Sequence, residues 1–190
     1  MFCEQKVAQM AAYLLHKRGG RMAYLKLIKL LYLSDRKSLI DYGDMMSGDR
    51  LYSLKHGPIL SETLNLMTNK NRTGGDSWAQ WIEKHGTDVQ LKVNIREMGG
   101  VEAFDELSKA EIRILDEVYA QYGHMNRFEV RDLTHLKEVC PEWKDPGNSR
   151  LPIYLSEILL SSGKSSNETE QILQNMRESD ILRDFSAQMT

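Results

Sequence analysis

Apolar side chains at Val7, Met10, Ala11, Leu14 and Leu15 recur three and four residues apart, which predicts a helix over 4–18. Gly19-Gly20 supplies its stop. A second, longer helix is predicted over 22–42, closed by Gly43. From Met22 to Leu33 it is apolar on nearly every side, interrupted by Lys26 and Lys29. A helix that is hydrophobic all round is a buried one, so this segment is expected at the centre of the fold.

After Gly43 the period changes. Gly43, Gly48 and Gly57 punctuate a stretch with Leu51, Tyr52 and Leu54, which suits a loop and a short strand. Pro58 is expected to open a helix, since its missing N–H would be unpaired at a first helical position. Asn69 to Ser77 reads as a polar loop and Trp78 to Lys84 as one or two helical turns ending at Gly86. Val89, Leu91, Val93 and Ile95 alternate with polar residues, the mark of a half-buried strand. That strand is expected to pair with the Leu51–Leu54 segment.

Ser108 with Glu111, and Asn126 with Glu129, form capping-box patterns for a helix ending at Gly123 and a shorter one reaching about His135. Pro141, Pro146, Gly147 and Pro152 mark an irregular stretch, and Leu155 to Ser162 a short helix stopped by Gly163. The tail places Ile172, Leu173 and Met176 on one side of a helical wheel. Ile181, Leu182, Phe185 and Met189 fall on the opposite side. Either a new helix starts at Ser179-Asp180, or the second group meets something other than this domain. The expected fold is mainly α (α+β): a compact helical domain over 1–163 around a central buried helix, with a small antiparallel sheet. Residues 164–190 form a helical tail packing on the domain or on a partner.

The 190 residues suit one domain, and no apolar run approaches the ~20 residues that span a bilayer. The opening Met-Phe-Cys-Glu-Gln-Lys lacks the order of a signal peptide, and Cys3 and Cys140 make no disulfide framework. A cytoplasmic setting with reduced thiols follows as the expectation. The net charge of −2 divides unevenly: +5 over residues 1–60, −4 over 61–125 and −3 over 126–190. The basic third either steers an acidic partner or pairs with the other two thirds in the fold.

Catalytic motifs are sparse: there is no phosphate loop, His-Glu-x-x-His, Cys-x-x-Cys or Gly-x-Ser-x-Gly. No metal site and no cofactor is expected. His56-Gly57-Pro58 is the most informative cluster, because Gly57 admits backbone angles that a side chain forbids and Pro58 restrains it. His56 reads either as a neutral, chemically positioned imidazole beside a helix N-terminus or as part of a structural turn. Asp35 in the buried helix needs a partner, and Arg50, Lys55 or His56 could meet it. His135, next to Thr134, is placed to satisfy carbonyls at a helix end, and Trp143 to pack the irregular segment onto the core. Asn71-Arg72-Thr73 and Asn167-Glu168-Thr169 are chance matches to a glycosylation pattern.

Three blocks stand in order. They are Lys26-Leu27-Ile28-Lys29-Leu30-Leu31-Tyr32-Leu33-Ser34-Asp35, Leu54-Lys55-His56-Gly57-Pro58-Ile59-Leu60, and Asp132-Leu133-Thr134-His135 followed by Pro141-Glu142-Trp143. With a capped helix before the third block, the set resembles the Panacea domain, the SocA-like (GepA-like) antitoxin family of bacteria and their phages. The resemblance covers roughly residues 4–160. It implies the antitoxin half of a toxin–antitoxin pair, often prophage-encoded. Its partner would be a cognate protein toxin from an adjacent gene, neutralised by direct binding or presented to a protease. The family positions carry over as Lys26, Leu30, Tyr32, Asp35, His56, Gly57, Pro58, Thr134, His135 and Trp143, mostly as scaffold. The tail face of Ile181, Leu182, Phe185 and Met189 is the candidate partner surface, for a toxin or a second copy in a homodimer or hetero-oligomer. The competing readings are a metal-dependent hydrolase using His56 and His135, and a DNA-binding autoregulator, although no basic recognition helix is evident.

Overall fold

The computed structural model of the chain describes residues 1–68 and 77–188. Most of the expected loop from Asn69, with the Asn71-Arg72-Thr73 triplet, and Met189 lie outside the described residues. Helix α1 (Glu4–Arg18) ends at Gly19, whose φ of 92° is a left-handed cap, and is buried on all sides from Val7 to Leu15. Strand β1 (Arg21–Ala23), which the apolar pattern hides inside the next helix, leads into α2 (Tyr24–Tyr42). Gly43 at φ 71° closes α2. Leu27, Ile28, Leu30, Leu31 and Tyr32 are all essentially without solvent contact, so α2 is the central buried helix its composition predicts.

Strands β2 (Leu51–Leu54) and β3 (Gly57–Leu60) form an antiparallel hairpin before α3 (Ser61–Thr68). The expectation that Pro58 opens a helix is therefore corrected: Pro58 pairs with Ser53 in β3, and the helix starts at Ser61. The physical reason is position, because β3 is an edge strand and an edge tolerates a residue without an N–H. The start of α3 is held instead from a distance. The Asp49 carboxylate accepts from Glu62 N, Thr63 N and Thr63 Oγ1.

Helix α4 (Ser77–Trp81) runs into β4 (Ile82–His85), which turns at Gly86 into β5 (Asp88–Leu91). This corrects the second strand expectation. The alternation over 89–95 forms a strand only to Leu91, and β5 pairs with β4 and β1, not with Leu51–Leu54. A local hairpin takes one edge of β5, while β2 is flanked by β3 and by β6 (Leu151–Pro152). Among the described residues the result is two three-stranded antiparallel sheets.

Helices α5 (Lys109–Tyr122) and α6 (Arg127–Leu133) both begin with complete capping boxes, from Ser108 and Glu111 and from Asn126 and Glu129. Both pack on α2, as do α1, β3 and α7 (Leu155–Ser161). Helix α8 (Ser166–Gln188) is one continuous helix, with no restart at Ser179-Asp180. Ile172, Leu173 and Met176 pack against the core. Ile181, Leu182 and Phe185 are 67%, 68% and 63% exposed.

The uneven charge is largely absorbed within the fold. Lys6 pairs with Glu111, Lys17 with Asp116, Lys37 with Glu117 and Arg36 with Glu142, each at 2.6–3.1 Å. Cys3 and Cys140 are free thiols. No helix among the described residues is long and apolar enough to cross a membrane.

Candidate functional site

The β2–β3 turn sits against the end of α6. Neither Lys55 nor His56 takes a positive φ, so the left-handed residue closing the turn is Gly57, at φ 93°. Glycine is needed there twice over. A Cβ on Gly57 would stand 2.7 Å from Thr134 Oγ1, 2.8 Å from Lys29 Nζ and 3.2 Å from His135 Nε2. Three polar atoms from two helix regions thus converge on one backbone position.

Lys29 is fully buried, and its Nζ donates to the Pro58 carbonyl at 2.7 Å. Burial pulls this ammonium down to about 7. The Thr134 hydroxyl donates to the Arg131 carbonyl at 2.8 Å, filling the acceptor expected for His135. His135 instead stacks on Trp143, ring centroids 4.2 Å apart, with its Nε2 buried and without a hydrogen-bond partner. Burial, and then the Lys29 charge, hold His135 below the usual imidazole range. Trp143 Nε1 donates to the Leu54 carbonyl at 3.1 Å and so returns to the hairpin. His56 is exposed in the turn and not beside a helix N-terminus, because the helix starts later than expected.

The remaining block residues act elsewhere. Lys26 Nζ donates to the Gly123 and Met125 carbonyls, both at 2.6 Å, tying α2 to the chain leaving α5. Leu30 is buried in the core. Tyr32 OH donates to Glu142 Oε1 at 2.6 Å, and Arg36 Nε donates to the same oxygen at 2.9 Å. Asp35 does not meet Arg50, Lys55 or His56. It accepts from Met46 N, Ser47 N and Ser47 Oγ, capping the loop after Gly43. Burial pushes the Asp35 carboxyl up to about 7, against these three hydrogen bonds. Among the described residues, no group of three or more His, Cys, Asp or Glu is placed to hold a metal ion.

The three sequence blocks therefore meet in space, the first reaching the second through Lys29 and the third through Tyr32. The model of the family "Antitoxin SocA-like, Panacea domain" matches residues 27–144, a span containing all of that contact network. The chain belongs to this Panacea family. No curated protein and no solved structure matches it. The Panacea match is narrower than the 4–160 expected, with Lys26 just ahead of it and α8 wholly beyond it.

Two residues central to this Panacea network, Lys29 and Glu142, are absent from the sequence-derived set, although each lies inside a quoted block. Their signal is a charged residue amid apolar neighbours, Lys29 in a helix apolar all round and Glu142 between Pro141 and Trp143. A buried charge must find a partner, which is why both became junctions.

Proposed function

We propose that this Panacea protein is the antitoxin of a toxin–antitoxin pair, acting in the cytoplasm. It binds and masks a protein toxin encoded by an adjacent gene and performs no catalysis of its own. The family membership supports the antitoxin half of this reading. The observation that carries direct binding is α8. Its first half packs on the domain, while Ile181, Leu182 and Phe185 continue along the same helix and stay about two-thirds exposed. Three large apolar side chains held in solvent along one continuous helix suit a docking face of the helix-in-groove kind. Met189 extends the same sequence pattern. The family positions in the hairpin and after α6 act as the scaffold beneath.

The test is co-expression. Each adjacent open reading frame is induced alone and together with this protein. One neighbour should arrest growth alone and be rescued by co-expression. If neither neighbour is toxic and rescued, the reading fails. Rescue that requires an active host protease would assign the protease-adaptor mode in place of masking.

A further inference from the structure

A cleft of about 730 Å³ opens on the surface between the last turn of α1 and the chain leaving β5. Its ionisable side chains are all basic: His16, Arg21, Lys92 and Arg96. No described carboxylate lines it. The rest of the lining is mixed, with Gln90 and Asn94 polar and Leu91, Val93 and Ile95 apolar. Arg21, Lys92 and Arg96 are exposed, so their charges are open to a ligand. Arg21 Nε donates to Asp88 at 2.9 Å, which leaves the terminal nitrogens of its guanidinium. Lys92 Nζ donates to the Ala79 carbonyl at 2.7 Å and keeps two further N–H groups. The Arg96 side chain has no ion pair and no hydrogen bond among the described residues.

The backbone here is open as well. Gly19 and Gly20 form the wall toward α1, and a Cβ on either would meet nothing within 4 Å. The negative end of α1 is already covered, because the Leu15 and His16 carbonyls accept from Gly20 N and Gly19 N. Leu91 N–H donates to the Gly20 carbonyl and Lys92 N–H to the Trp81 carbonyl. The next groups, Val93 N–H and C=O, have no partner among the described residues.

We propose that this cleft binds an extended acidic peptide segment of a partner protein. Its carboxylates accept from Arg21, Lys92 and Arg96, whose arginine forks suit carboxylate geometry. Its main chain runs past Val93 and pairs with the open N–H and C=O there, in the manner of strand addition. Lys92 stands between Leu91 and Val93 in the lining, so a segment in which acidic and apolar residues alternate matches it. The lining holds no aromatic ring on which bases could stack, which favours a peptide over a single-stranded nucleic acid. The site shares no residue with the exposed α8 face and does not rest on the antitoxin reading.

The probes are acetyl-Glu-Val-Glu-Val-Glu-amide, its neutral counterpart with Gln in place of each Glu, and hexathymidylate. Each is titrated into the full chain while the backbone amides of Gly20, Val93 and Arg96 are followed by NMR. The acidic peptide should shift these amides saturably and bind at least tenfold more tightly than the neutral one. Its advantage should shrink in ~1 M salt, where charges are screened beyond about 3 Å. Arg21→Ala with Arg96→Ala should lower acidic-peptide affinity at least tenfold and leave neutral-peptide binding unchanged. Both side chains are exposed, so the fold is expected to persist. Equal binding of the two peptides, no saturable shift at Val93, or full acidic-peptide affinity in the folded double variant would overturn the proposal. So would hexathymidylate binding these residues as tightly as the acidic peptide. If the double variant does not fold, Arg96→Ala alone and the comparison of the probes on the unaltered protein decide.

Discussion

Gly57 lies so close to Thr134 that a β-carbon on it would stand 2.7 Å from the threonine hydroxyl. This contact fixes how the β2–β3 hairpin seats on the end of α6, and it leaves no room for any other residue type.

Gly57→Ala is therefore expected to destabilise the protein by about 2–4 kcal/mol. The left-handed φ contributes ~1–2 kcal/mol and overpacking against Thr134 and Lys29 the rest. Denaturant unfolding measures it. Gly147→Ala, also at positive φ but with open space around the new methyl, should cost only the backbone part. Equal costs at the two sites would remove the packing argument.

Glu142 accepts from both Tyr32 and Arg36 with its side chain fully buried. Removing it leaves a guanidinium and a phenol facing an apolar interior. Glu142→Ala should cost about 3–5 kcal/mol, and Tyr32→Phe, which keeps the ion pair, about 1.5–3 kcal/mol. Chemical denaturation of the two variants checks the ranking. Tyr32→Phe costing as much as Glu142→Ala would contradict it.

Lys29 titrates at about 7 in the folded protein, against 10.5 ordinarily. Between those values the unfolded chain holds the extra proton, so this group makes stability rise with pH across that window. Lys29→Met abolishes the effect. The stability of the variant minus that of the unaltered protein should be flat below about pH 7. It should then fall by about 1.4 kcal/mol per unit above it. Cys140, pushed up from 9.0 to about 12 by burial, lowers stability above pH 9 in both proteins alike and cancels in the difference, while His135 is held below its ordinary 6.5 and titrates under the window. Parallel stability profiles from pH 7 to pH 10 would show that Lys29 keeps its ordinary pKa.

Much of this architecture was legible in the sequence where local signals act alone. The capping boxes at Ser108 and Asn126 and the left-handed stops at Gly19 and Gly43 all fall where the residues place them. The errors arise where a distant partner decides. Pro58 has the local look of a first helical residue, but pairing with Ser53 and the edge position of β3 make it a strand residue. The partner of Asp35 lay only a loop away, in backbone N–H groups that carry no sequence signature. Lys29 was visible as an oddity in an apolar helix, yet its role depends on Pro58, Thr134 and His135, which only folding assembles.

The most direct test of the proposed docking face uses the full chain and the proposed toxin, the neighbouring gene product that the co-expression test would identify. Leu182→Ser with Phe185→Ser removes two exposed apolar side chains that the domain does not bury. Binding measured by calorimetry should weaken at least tenfold, while the thermal midpoint stays within about one degree, as for surface substitutions without buried contacts. Unchanged toxin affinity, or a fall in thermal midpoint with affinity preserved, would contradict the claim that α8 is the surface through which this Panacea protein holds its partner.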